Sequence, residues 1–257
     1  MQSLLKIKNE KRRVGDLSFS CVSDIINTVH KWKRNKIMKK FQIPILVIIA
    51  CVIMAIIDAI IQPGYMIKSL IKIIVFLLIP TVYAWWGRDI DLRKLIKPHK
   101  KGIFIALMLG VAVYCVVLGA YFIFRNVFDF SALTKSLGET TGVTKSNFLY
   151  VSIYISFVNS LLEEFFFRGF SFIALKKITS RKFAYIFSSS SFALYHIAMM
   201  IGWFSFPVIL LSLVGLFAGG LIFNRFDEKS ENIYLSWLVH MFANFATNTI
   251  GFILFTQ

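Results

Sequence analysis

Charge is scarce in this sequence. Only 16% of its 257 residues are Asp, Glu, Lys or Arg, and the carboxylates number 13. That is too little polar cover for a soluble domain of this length, whose surface-to-volume ratio demands far more. Cysteine is also rare, at three. Cys21, Cys51 and Cys115 are odd in number and far apart, which excludes a disulfide framework or a CxxC pair. They read as small hydrophobes. An HExxH zinc signature and a GxSxG nucleophile elbow are both missing. So is the pattern of a signal peptide, because MQSLLKIKNEKRR turns basic before any apolar core develops. The first membrane helix is then expected to act as the insertion signal.

What is present is apolar. Hydrophobic residues make up 57% of the chain, against roughly 45–50% in soluble domains, 27 residues are Phe, and the mean hydropathy is +0.71. A spanning helix needs about 20 mostly apolar residues. Seven stretches qualify: 41–61, 66–86, 103–124, 148–174, 183–201, 206–224 and 233–255. The expected fold is all-α, a polytopic transmembrane helix bundle of about seven spans. Pro63–Gly64 makes the first two a tight hairpin. Gly215 and Gly219 have the small-xxx-small spacing that permits close helix packing. Residues 1–40 read as a basic tail and 41–257 as the membrane-embedded domain.

A net charge of +16 would suit a nucleic-acid partner, but the positions of the charges argue against one. Of 29 Lys and Arg residues, 11 lie in 1–40, six in 87–102, four in 175–182 and two in 225–232. The opposite side of the bundle has three, all in 125–147. This asymmetry follows the positive-inside rule and puts the N-terminus in the cytoplasm, beside an anionic leaflet. With seven spans the C-terminus lies outside. Residues 17–30 suit either a short amphipathic surface helix or a plain solvated tail.

Ionisable residues inside the spans stand out, because each costs on the order of 2.5–3.5 kcal/mol at the bilayer centre. The fourth span contains Glu163, Glu164 and Arg168 in LLEEFFFRGF. Glu164 and Arg168 are i,i+4 and able to pair; Glu163 points about 100° away, free to face a cavity. His196 lies in the fifth span, with Phe192 one turn before it, and His240 and Asn244 share a face of the seventh. Taken singly, each group also reads as a packing residue or helix bridge. Counting 1.5 Å per residue from the cytoplasmic ends places Glu163 roughly 16 Å deep, His196 roughly 20 Å and His240 roughly 11 Å. A carboxylate and two imidazoles on three helices thus share one central layer. Asp58 and Lys72 are expected to form a separate structural pair. The serines at 188–191 read as a close-packing stripe.

In order along the chain these residues spell Glu163-Glu164-x-x-x-Arg168, Phe192-x-x-x-His196 and His240-x-x-x-Asn244. The series resembles the three motifs of the CPBP family of intramembrane proteases (CAAX proteases and bacteriocin-processing enzymes, also called Abi), over a core of about 148–250. The resemblance implies an intramembrane endopeptidase. Glu163 and His196 would activate a water, His240 and Asn244 would form an oxyanion hole, and Glu164, Arg168 and Phe192 would support the site. A carboxylate in an apolar site suits a general base, and donors aimed at developing charge suit an oxyanion hole. Glu163, His196 and His240 also offer the Glu/His₂ set of a catalytic zinc, and the sequence leaves the choice between a metal and a metal-free glutamate mechanism open.

The implied partners are the lipid bilayer and a membrane-associated peptide or protein substrate: a CAAX tail, a pheromone or bacteriocin precursor, or an anchored protein. A multi-pass protein of a bacterial plasma membrane is expected. The alternative is a non-catalytic bacteriocin-immunity or cell-envelope scaffold protein of the same fold. A transporter fits less well, since inverted repeats and paired broken helices are missing.

Overall fold

The computed structural model describes residues 40–87, 91–98, 100, 102–128, 137–201 and 204–256. Residues 1–39 of the basic tail, including 17–30 and Cys21, lie outside them. Residues Ile43–Gln257 form one compact unit, and the described residues contain helices and no strand. The chain is a multi-pass integral membrane protein built as a helical bundle.

The principal helices are α1 (Lys40–Ile61), α2 (Tyr65–Trp85), α3 (Leu92–Ile96), α4 (Ile103–Phe124), α5 (Phe148–Ala174), α6 (Arg181–Met200), α7 (Phe206–Ser230) and α8 (Tyr234–Thr256). Six of them, all but α3 and α6, are long and apolar enough to cross a membrane. The stretch expected as a span at 183–201 does form α6, which has spanning length at 20 residues. Its four serines, His196 and leading Arg181–Lys182 make it less apolar than the rest. That polarity suits its place, packed against α5 and α7.

α1 shows how sequence spacing becomes packing. Ile43, Val47, Ala50 and Met54 recur at helical spacing and are buried, whereas Ile45, Ile48, Ile49, Val52, Ile53 and Ile56 are exposed. In water such a face would be a liability; against lipid it is the expected surface. The buried stripe meets an aromatic core in which Phe76 of α2 stacks on Phe166 of α5, with centroids 4.2 Å apart. Gln62, Pro63 and Gly64 join α1 to α2, and Gln62 adopts a left-handed conformation at φ 47° to end α1.

Small residues set the closest helix approaches, but at other positions than Gly215 and Gly219. A Cβ added at either of those two would touch nothing within 4 Å. Their neighbour Gly220 is the contact: a Cβ there would lie 3.0 Å from the Ser189 Cα on α6. The serine stripe and Gly220 are joined by Asn224, whose amide donates to Ser189 Oγ at 3.2 Å. Gly110 of α4 and Gly251 of α8 lie against Phe242 and Phe148 respectively.

α7 runs six residues past its apolar stretch, to Ser230. Those extra turns bind polar partners. Asp227 is buried and accepts from Ser236 Oγ at 2.7 Å, and Glu228 accepts from Arg181 and Tyr185 of α6. Just beyond, Lys94 donates to Glu231 at 2.9 Å and holds that carboxyl below its ordinary range. The Asn232 amide bonds the Lys94 and Lys97 carbonyls, docking α3 at this end of the bundle. Leu95 of α3 then covers Gly169 of α5.

Candidate active site

The site is built on α5. This helix winds in wider π turns at Ile155–Asn159 and Glu164–Ala174, on either side of the α-helical Ser160–Glu163. Such insertions are frequent at functional positions because they re-aim side chains. Glu163 and Glu164 are both fully buried and face different partners.

Glu163 Oε1 accepts from Lys72 Nζ of α2 at 2.6 Å and from Asn159 Nδ2 at 3.0 Å. Lys72 also donates to Asn159 Oδ1 at 2.5 Å, closing a triangle. The other oxygen, Oε2, lies 3.6 Å from His196 Nε2 and 3.6 Å from His240 Nε2. One carboxylate oxygen is tied down, and the other sits between two imidazoles from different helices.

Both rings are oriented from behind. His196 Nδ1 lies 2.7 Å from the Phe192 carbonyl, which can only accept, so Nδ1 carries the proton. The Phe192 ring packs edge-on against His196, with centroids 4.7 Å apart, and approaches His240 at 5.9 Å. His240 Nδ1 lies 2.8 Å from Glu164 Oε1. Glu164 Oε2 in turn is 3.3 Å from Arg168 Nε, one turn along the same helix. The Arg168 guanidinium lies 4.0 Å from the Phe192 ring centroid and 5.0 Å from that of Phe223, a desolvated cation–π sandwich.

Asn244 is placed differently from the other candidates. Its amide donates to the Ile155 carbonyl of α5 at 3.0 Å, and among the described residues no hydrogen bond joins it to Glu163, His196 or His240. Asn248, one turn further, does the same kind of work, donating to the Ser152 carbonyl and Ser156 Oγ. The structure thus brings Glu163, His196 and His240 together, with Glu164, Arg168 and Phe192 around them, and leaves Asn244 one turn away.

Two participants come from outside the three motifs. Asn159 is four residues before Glu163, a spacing visible in the sequence. Lys72 was visible as one of two cations in an apolar helix, but its expected partner was Asp58. Asp58 pairs instead with Lys68. Lys68 lies one turn nearer the start of α2, which frees Lys72 to reach α5.

Among the described residues, no group of three His, Cys, Asp or Glu side chains is arranged to hold a metal ion. The Lys72 ammonium binds Glu163 through Oε1, the oxygen that the imidazoles do not face. No step below passes through a metal.

Residues 145–246 match the family model described as type II CAAX prenyl endopeptidase Rce1-like. This segment is similar to the CPBP family. The match spans α5 to most of α8 and contains all three motifs. No match was found among curated proteins or among solved structures. The CPBP segment supplies the two histidines and both glutamates, while Lys72 enters from α2, outside it.

Proposed function

We propose that this protein is an intramembrane endopeptidase that hydrolyses a peptide bond of a membrane-associated peptide or protein. The observation that carries the reading is the convergence of Glu163 Oε2 with two imidazole Nε2 atoms in a buried site, each 3.6 Å away. Neutral His196, with its proton on Nδ1, and the Glu163 carboxylate present only lone pairs to one another. A water between them satisfies the group by donating, and Glu163 with His196 draws its proton as the oxygen attacks the scissile carbonyl. Glu163 then delivers that proton to the leaving amine.

The carboxylates around His240 support an oxyanion role for it. Its Nδ1 lies 2.8 Å from Glu164 Oε1 and its Nε2 lies 3.6 Å from Glu163 Oε2. Two carboxylates so placed would hold an imidazolium. It would still bond Glu164 through Nδ1, and its Nε2–H would be available to a developing oxyanion. Asn244 supplies the second donor through the amide hydrogen that Ile155 does not use.

The distribution of Lys and Arg supports a cytoplasmic N-terminus, and the arrangement suits a bacterial plasma membrane. Substrates in keeping with the matched family's name are CAAX-type tails; peptide pheromone or bacteriocin precursors fit a bacterial membrane better. The test is co-expression with a panel of short membrane peptides, read by mass spectrometry. Wild type is expected to produce a defined cut that Glu163→Gln does not, and equal cleavage by the two would end the hydrolase reading. The bond from Asn244 to Ile155 favours a second reading, a non-catalytic immunity or scaffold protein. Full biological complementation by His240→Ala would support it.

A further inference from the structure

We infer that Lys72 is the positioning residue for Glu163, a role that rests on the hydrolase reading of that carboxylate. Lysine is among the costliest residues to place in a membrane helix, yet Lys72 is buried in α2, with its side chain 6% exposed. Lys68 takes Asp58, and among the described residues Glu163 is the acid that Lys72 pairs with.

Its geometry does more than balance charge. Nζ binds Glu163 Oε1 and Asn159 Oδ1 while Asn159 Nδ2 also binds Oε1. Three bonds in a closed triangle fix the Glu163 side chain, with both donors on the same oxygen. The carboxylate cannot turn about its last torsion without breaking two of them, so Oε2 stays between His196 and His240. The ammonium itself is confined by rings, 5.0 Å from the Tyr195 centroid and 5.6 Å from that of Phe76. A cation supplied by α2 thus orients a carboxylate of the CPBP segment.

The experiment uses the full-length protein in nanodiscs. The substrate is a synthetic peptide carrying a fluorophore and a quencher on either side of the cut mapped by mass spectrometry. Lys72→Met is expected to lower kcat by about 10²-fold, the cost of a small misplacement of a reacting group, with KM within about two-fold of wild type. Asn159→Ala removes another side of the triangle and should lower kcat in the same way. Lys72→Arg should recover part of the loss. Thermal unfolding supplies a measure that needs no turnover. Lys72→Met and Glu163→Gln should each lower Tm, and the double variant should lose less than the sum of the two, because each single change leaves a buried group without its partner. Unchanged kcat in both Lys72→Met and Asn159→Ala, or additive Tm losses, would overturn the inference. Failure of wild type to cut any peptide counts against the hydrolase reading alone, and the unfolding cycle still decides whether Lys72 and Glu163 are coupled.

Discussion

His240 Nδ1 lies 2.8 Å from Glu164 Oε1, which leaves its other nitrogen 3.6 Å from Glu163. One ring therefore bridges two adjacent carboxylates of α5, one holding it and the other sharing the reaction space. Without Glu164 the imidazole could rotate and its protonated form would lose its counter-charge. Glu164→Gln is expected to lower kcat by at least ~10²-fold, in line with other carboxylates that orient a catalytic imidazole. Peptide cleavage by the variant, measured alongside its thermal unfolding, checks this. Wild-type turnover in a folded Glu164→Gln protein would show that the bond has no part in the chemistry.

Asn244 and Asn248 allow an internally controlled comparison. Both are one-turn neighbours on α8, and both donate to α5 backbone carbonyls, Ile155 and Ser152. Interhelical hydrogen bonds in membranes contribute about 0.6 kcal/mol and up to ~1.7 kcal/mol, so alanine at either position should cost a similar amount of stability. If Asn244 also donates to an oxyanion, only Asn244→Ala loses activity, by about 10²–10³-fold. Equal activity in the two variants would reduce Asn244 to a helix bridge.

The motif residues and the helices were legible because membrane burial makes both conspicuous. Any Glu, Arg or His in an apolar run needs a reason, and three of them at similar depth point to one place. The orientation of side chains was less legible. Lys68 and Lys72 lie on the same face of α2, and depth alone assigned Asp58 to the wrong one. Hydropathy ended α7 at 224, whereas Asp227 and Glu228 extend it to Ser230 through partners on other helices. The spacing of Gly215 and Gly219 suggested a packing face, yet both meet open space and α7 turns Gly220 toward Ser189. In each case the missing information was which way a helix rotates against its neighbours.

That rotation gives a stability prediction. Gly220→Ala would press a methyl against the Ser189 backbone at 3.0 Å, a contact that requires a helix to shift. Overpacking of this kind costs about 1–3 kcal/mol. Gly215→Ala meets open space and exchanges glycine for a better helix former, a change of up to ~1 kcal/mol in the stabilising direction. Thermal unfolding in detergent should rank Gly215→Ala at or above wild type and Gly220→Ala below it. The reverse order would mean that α7 presents a different face to α6.

Arg168 gives the last prediction, because its guanidinium is held by rings more than by hydrogen bonds. It is buried, its Nη atoms have no hydrogen-bond partner among the described residues, and its nearest acid is Glu164 at 3.3 Å. Phe192 and Phe223 lie against it, and Phe192 also touches His196, so the sandwich links the ion pair to the imidazole layer. Lysine would keep the charge but lose the planar, delocalised surface that stacks. Arg168→Lys should therefore lower stability by about 2 kcal/mol, the value of a desolvated cation–π contact. Arg168→Met removes the charge and leaves Glu164 with less compensation, a loss of about 3–5 kcal/mol for a broken buried pair. Unfolding of wild type and the two variants at matched detergent concentration measures both steps. An Arg168→Lys variant as stable as wild type would show that the stack contributes nothing and that charge alone holds this end of the site.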